Sequence, residues 1–142
     1  MENLGTFVLN NWLLFLALIV ILALLFVNLT KSRLLGFKEV PPNEAVRLNN
    51  QENALFIDVR SDDEFAKGHI VDAIHVPLPL IDARVNDLQQ YRDRKVIVYC
   101  ESGKRAAHAA VALRKHGFTS VYKLTGGLMA WRSASLPLER KP

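Results

Sequence analysis

The single cysteine of the 142-residue chain lies in a local pattern that is typical of a sulfur nucleophile. Cys100 directly follows the apolar run Val96–Tyr99 and is separated from Arg105 by Glu101, Ser102, Gly103 and Lys104. If a strand ends at the cysteine and a helix begins near Arg105, unpaired amide N–H groups of the loop and the first helical turn can converge on the sulfur. These donors, the helix dipole and the nearby cations favour the thiolate over the thiol.

Two reactions suit a thiolate in such a cradle, and both handle anions. The first is transfer of sulfane sulfur, in which Cys100 would carry an anionic persulfide. The second is hydrolysis of a phosphate ester, but the known phosphatase signature has one more residue between the cysteine and the arginine, which makes a wider bowl. The shorter loop therefore favours sulfur transfer, and Gly103 would let the backbone take a conformation that a side chain forbids. Without this context, a lone cysteine is more often a small buried side chain.

Composition argues against several other classes of site. Cys100 has no partner for an internal disulfide, which fits a reducing compartment. The net charge is +4, but the basic residues are scattered among acids, so we expect no nucleic acid partner. The four histidines lack the close spacing of metal ligands, and we expect no metal site. His69 and His75 are interpreted as packing residues, because a thiolate held by amide donors needs no base.

Short apolar runs alternate with helical patterns along the part of the chain that must position Cys100. The predicted buried strands are residues 54–57, 96–99 and 121–124, with a further short strand at 73–76. The predicted helices are 44–48 with Asn43 as its cap, a segment opened by a capping box at 61–64, then 81–88, 105–116 and 128–132. This alternation predicts an α/β sandwich around a mainly parallel sheet.

The N-terminal segment has the composition of a membrane helix. Residues 3–30 carry no charge, and residues 12–29 are apolar except for Asn28, which is long enough to cross a bilayer. We predict an anchor and juxtamembrane link at 1–36 and a folded domain at 37–142. A cleaved signal peptide is the alternative, but the basic segment and the small-residue cleavage site are lacking. Basic residues begin at Lys31, which predicts a domain at the cytoplasmic face, at the inner membrane if the source is bacterial.

Four segments together resemble the rhodanese family, in particular single-domain forms with one N-terminal membrane helix. They are a D-V-R segment at 58–60, an E-F-x-x-G-H-I segment followed by A-x-x-V-P at 64–77, a C-x-x-G-x-R loop at 100–105, and a G-G-x-x-x-W segment at 126–131. The resemblance spans roughly residues 38–138 and leaves the anchor outside.

The resemblance implies a three-layer α/β sandwich, a persulfide on Cys100, and no metal or organic cofactor. It also implies that Arg60 helps to position the active loop, with Asp58 and Glu64 as structural neighbours. Glu101 is unfavourable for a doubly anionic donor such as thiosulfate, because a carboxylate at the pocket mouth repels a dianion. We expect Lys104 to offset that charge.

The sequence therefore predicts a membrane-anchored sulfurtransferase with Cys100 and Arg105 as catalytic residues. Residues 101–105 would form the loop that binds the substrate and the persulfide, supported by Asp58 and Arg60. The donor would be thiosulfate, a polysulfide or a protein persulfide, and the acceptor would be an external thiol, which a partner protein could carry. The alternative is a rhodanese-like binding module with little turnover, tethered by its helix to the lipid or to a membrane-protein complex. A phosphatase ranks third.

Overall fold

The computed structural model describes residues 3–140 of the chain. Contacts within the chain divide it between Leu34 and Leu35 into two compact units. The N-terminal unit is helical, with a short helix α1 (Leu4–Asn10) followed by a long helix α2 (Trp12–Leu35). The side chain of Asn11, between them, donates a hydrogen bond to the Phe7 carbonyl at 2.8 Å.

Helix α2 is long and apolar enough to cross a membrane. Its 24 residues correspond to about 36 Å at the usual helical rise, and the apolar window within it has no buried residue. The helix continues through most of the predicted juxtamembrane link, because no proline or glycine lies between Lys31 and Leu35. It ends at Leu35. Gly36 follows with a φ of +77°, a conformation that suits a helix terminus.

The C-terminal unit contains a five-stranded parallel sheet in the order β1-β6-β5-β2-β4 and a two-stranded antiparallel ribbon, β3-β7. The strands are β1 (Lys38–Val40), β2 (Leu55–Asp58), β3 (His69–Ile70), β4 (Ile74–His75), β5 (Val96–Tyr99), β6 (Val121–Leu124) and β7 (Leu138–Glu139). The helices are α3 (Pro42–Glu52), α4 (Asp62–Lys67), α5 (Ile81–Arg84), α6 (Lys104–Lys115) and α7 (Gly127–Ser133), with 3-10 turns at Leu78–Leu80 and Val85–Tyr91.

Two apolar clusters cover the two faces of the sheet, which confirms the three-layer sandwich. Val96, Val98 and Cys100 belong to the cluster that contains the buried side chains of α5 and α6. Ile97 and Tyr99 belong to the cluster with α3 and α7. Because successive side chains of a strand point to opposite faces, β5 is buried on both sides. Its carboxyl end, where Cys100 lies, is at the centre of the sheet.

Some local predictions need correction. Asn43 does not cap α3, because Pro41 occupies the cap position and Pro42 the first helical position, where the missing N–H group of proline costs nothing. The segment at 81–88 is one helical turn followed by a 3-10 turn. The capping box at Ser61 and Glu64 is confirmed, with the Ser61 hydroxyl accepting from the Glu64 amide at 3.4 Å.

Candidate active site around Cys100

Cys100 is the first residue after β5, and its sulfur is enclosed by the loop that leads into α6. The residue is 1% exposed. The amide N–H groups of Gly103 and Ala106 both donate to its Sγ, at 3.0 Å and 3.4 Å. Ala106 lies in the first turn of α6, where an N–H group has no partner within the helix. The expected convergence of amide donors on the sulfur is therefore present in the geometry.

Gly103 makes this turn possible. Its φ is +110° and its ψ is −15°, which is left-handed backbone that a side chain rarely adopts. The neighbouring loop residues Ser102 and Lys104 are exposed. Their side chains therefore lie at the outer surface of the loop, while the amides of Gly103 and Ala106 face the sulfur.

A turn at the start of α7 fixes the backbone of the active loop, residues 100–105. The Leu128 amide donates to the Cys100 carbonyl at 2.9 Å, and the Met129 amide donates to the Glu101 carbonyl at 3.2 Å. A Cβ atom at Gly127 would lie 2.6 Å from the Cys100 oxygen and 2.5 Å from the Glu101 oxygen. Only glycine fits there, and the two carbonyl groups of the loop are fixed toward α7.

Arg105 lies at the site but directs its charge to Glu64 instead of the sulfur. Its two terminal nitrogens donate to the two Glu64 oxygens at 2.8 Å and 2.9 Å. This hydrogen-bonded pair lowers the pKa of Glu64 well below its usual range and raises the pKa of Arg105. Among residues 3–140, the hydrogen bonds to Sγ come from the two amides and none comes from Arg105. In this geometry Arg105 ties the beginning of α6 to α4.

Asp58 and Arg60 form a buried ion pair beneath the loop. They are 0% and 1% exposed, and Arg60 Nη2 lies 2.7 Å from Asp58 Oδ2. Arg60 also donates to the Gly68 carbonyl at 2.8 Å. Burial alone would lower the pKa of Arg60, but the hydrogen bond and the attraction to Asp58 outweigh it and raise that pKa. The guanidinium therefore stays charged inside the domain.

Glu101 is held between two arginines at the rim of the loop. Its Oε2 lies 3.4 Å from Arg60 Nη1, and its Oε1 lies 2.5 Å from Arg132 Nη1 on α7. Lys104, expected to offset this charge, takes part in none of the ion pairs found between residues 3 and 140. The sequence interpretation missed Arg132, although its position directly after Trp131 in the G-G-x-x-x-W segment was a signal.

The two histidines near the site pack on an aromatic ring. Phe65 lies between them, stacked at 3.7 Å from the His69 ring and 4.3 Å from the His75 ring, centroid to centroid. A ring nitrogen of His75 is 2.7 Å from the Arg60 carbonyl, and one of His69 is 2.9 Å from the Phe65 carbonyl. Their partners are backbone groups and carboxylates, which fits the expected packing role.

Comparison with known proteins gives consistent matches to one family. The model of the rhodanese-like domain matches residues 41–134. The protein YibN of Escherichia coli (strain K12) is 36% identical over 141 residues, which cover 99% of each chain. The thiosulfate sulfurtransferase GlpE of Pseudomonas putida (strain GB-1) is 35% identical over 103 residues, covering 72% of this chain and 91% of the relative.

Solved structures agree with the sequence matches. The crystal structure of a rhodanese-related protein from Thermoplasma volcanium superposes with a TM-score of 0.66 at 25% identity. The match covers 74% of this chain and 100% of the other. The whole of that solved chain thus corresponds to a part of this chain.

Proposed function

This chain belongs to the rhodanese family, and we propose that it is a sulfurtransferase that carries sulfane sulfur as a persulfide on Cys100. The observation that carries the proposal is the pair of amide donors, from Gly103 and Ala106, directed at a buried cysteine sulfur. Hydrogen bonds from N–H groups stabilise an anionic sulfur and need no general base. The sulfurtransferase name of one relative supports the same reaction type.

The proposed reaction has two steps. The Cys100 thiolate attacks the sulfane sulfur of a donor, the donor's sulfur–sulfur or sulfur–sulfonate bond breaks, and the leaving group takes the electron pair. For thiosulfate the products are the Cys100 persulfide anion and sulfite, so charge and atoms balance. An acceptor thiolate then attacks the outer sulfur and regenerates Cys100. Because the chain has one cysteine, that acceptor comes from another molecule.

The ion pairs around the loop support this chemistry by fixing the backbone. Arg105 joins α6 to Glu64, Arg60 joins the end of β2 to Glu101, and the turn at Gly127 holds the loop carbonyls. A loop fixed in this way presents its amides without reorganisation when the negative charge moves to the outer sulfur.

We further propose that α2 anchors the domain at the cytoplasmic face of a membrane. Lys31, Arg33 and Lys38 follow the apolar stretch, and basic residues on one side of a span favour the cytoplasm. The match to YibN includes the helix, since it covers 99% of both chains. Protease protection of the domain in sealed inner-membrane vesicles of known orientation tests this topology.

Intact mass measurement tests the sulfur transfer. The full chain in detergent is incubated with thiosulfate or with inorganic polysulfide, and we expect a mass increase of one sulfur, about 32 Da, which cyanide removes. The Cys100→Ser variant should gain no mass. If the unchanged protein gains no sulfur from either donor or from a persulfidated protein, the proposal is wrong.

A further inference from the structure

Glu101 has an arrangement that bears on the choice of donor. Glu101 follows the nucleophile directly in the chain, and its side chain is 33% exposed. It is the shared acceptor of Arg60, which is almost completely buried, and of Arg132, which is 47% exposed. Its backbone carbonyl is also fixed, by the Met129 amide. The negative charge is therefore held in one place on the residue that follows Cys100.

Three pairs of opposite charges around the loop cancel one another, and Lys104 adds a positive charge that has no carboxylate partner among residues 3–140. Arg60, Arg105 and Arg132 contribute three positive charges, and their acceptors Asp58, Glu64 and Glu101 contribute three negative charges. Arg132 is the most exposed of these arginines and would be the natural partner of an incoming anion. In the structure Arg132 is already paired with Glu101. A dianion such as thiosulfate thus meets arginines that already have carboxylate partners, and the residue that follows the nucleophile carries one of those carboxylates.

The rim also offers apolar surface. Met129 lies on α7 one turn before Arg132, so the two side chains share a face of that helix. Met129 is 57% exposed, although its backbone touches the active loop through Glu101. An exposed thioether on the helix that contacts the loop suits a donor with carbon groups on its sulfur and offers nothing to a small inorganic dianion.

We infer that Glu101 is a specificity-determining residue that selects low-charge organic persulfides, R–S–SH, over thiosulfate as sulfur donors. This inference rests on the proposed function, since it concerns the first step of that reaction. The Cys100 thiolate attacks the terminal sulfur of R–S–SH, a Cys100–sulfur bond forms, and the S–S bond between the RS group and that terminal sulfur breaks. The electron pair leaves on R–S⁻, the transferred sulfur keeps its proton, and no external oxidant or reductant is needed.

The test compares two donors on two variants of the full chain in detergent. The donors are thiosulfate and the persulfide of N-acetylcysteine amide, which has no charged group besides the persulfide itself. The readout is the second-order rate constant for adding one sulfur to Cys100, followed by intact mass in single turnover. Glu44→Gln is the matched control, because Glu44 on α3 also pairs with an arginine, Arg47, whose other ion-pair partner is Glu52 and not a residue of the loop.

We expect Glu101→Gln to raise the ratio of the thiosulfate constant to the persulfide constant about tenfold, because one unit charge near a dianion is removed and Arg132 becomes available. Arg132→Gln should move the same ratio in the opposite direction, since it leaves Glu101 with one arginine fewer. The Glu44→Gln ratio should equal that of the unchanged protein.

The outcomes separate this inference from the proposed function. If the unchanged protein takes sulfur from neither donor, the proposed function is wrong and the inference is wrong with it. If both donors load Cys100 but the ratio stays within twofold in Glu101→Gln and in Arg132→Gln, sulfur transfer stands and the selectivity of Glu101 is refuted. A lower ratio in Glu101→Gln also refutes it.

Discussion

Replacing Gly127 by alanine should damage the active loop more than any other single methyl group added to the domain. The new Cβ atom would lie 2.5 Å from the Glu101 oxygen and 2.6 Å from the Cys100 oxygen, both of them backbone atoms that cannot rotate away. The φ of Gly127 is +59°, which costs an alanine about 1–2 kcal/mol. Relieving the clash also breaks the hydrogen bonds of Leu128 and Met129 to the loop, at about 1 kcal/mol each. The expected loss is about 3–4 kcal/mol.

Gly117→Ala is the matched control for Gly127→Ala. Gly117 is also left-handed, with a φ of +89°, but the nearest obstacle is the end of the flexible Arg92 side chain at 3.0 Å. The two variants share the strain of a positive φ and the reduced freedom of the unfolded chain. Their difference isolates the clash and the two hydrogen bonds, and it should be about 2 kcal/mol in the free energy of unfolding.

Urea denaturation followed by tryptophan fluorescence measures the stability difference, with the buried Trp131 as the reporter of the domain. Sulfur loading of Cys100 by intact mass measures the effect on the loop. We expect Gly127→Ala to load at least about tenfold more slowly, because a displaced loop turns its amides away from the sulfur. Equal stability and equal loading in Gly127→Ala and Gly117→Ala would refute the role given to this turn.

Three further substitutions or truncations test the surrounding structure. Asp58→Asn leaves the buried Arg60 charge with only the more distant Glu101 carboxylate, at 3.4 Å, and should cost about 3–5 kcal/mol by chemical denaturation, and a loss below about 1 kcal/mol would contradict the pairing. The hydrogen bond from Arg105 lowers the pKa of Glu64 below its ordinary 4.5 in the folded chain. The ion pair therefore stabilises the fold fully above pH 4.5, and this stabilisation is lost as the pH falls through the lowered pKa. Because Glu64 is 33% exposed, Glu64→Gln should lower the free energy of unfolding by only about 1 kcal/mol at neutral pH. The difference in stability from the unchanged protein should shrink in acid. A difference that does not depend on pH would exclude the ion pair as its cause. Removal of residues 1–34 should move the domain from the carbonate-resistant membrane fraction to the supernatant, and continued membrane retention would argue against the anchor.

The central strands were predictable because burial on both faces leaves a continuous apolar signal. The prediction for β5 matches Val96–Tyr99 at both ends, and the prediction for β6 matches Val121–Leu124. The edge strand β1 and the ribbon strands β3 and β7 were not predicted, since two or three residues carry no period. Their pairing partners lie far away in the chain, so their extended backbone is fixed by tertiary contacts.

The cradle around Cys100 was predictable for a different reason. Gly103 and Ala106 lie three and six residues after the cysteine, so a strand, a glycine turn and a helix start determine their amide positions locally. The ion pairs could not be predicted from local sequence in this way. Arg105 and Glu64 are 41 residues apart in the chain, and Glu101 and Arg132 are 31 residues apart. Which carboxylate meets which arginine depends on the strand order, and that order was not readable from the sequence.

The pairing of charges changes the physical account of why Cys100 can hold an anion. Sequence spacing alone assigned Arg105 to the sulfur, as a full charge that would favour the thiolate. In the structure Arg105 is bound to Glu64, and Glu101 shares Arg60 and Arg132, so the charges of these paired side chains are not free to act on the sulfur. What remains directed at Sγ is the pair of backbone amides. Side-chain charges then serve to hold the loop in place, and the proposed persulfide would be stabilised by dipoles that an exposed arginine could not position as closely.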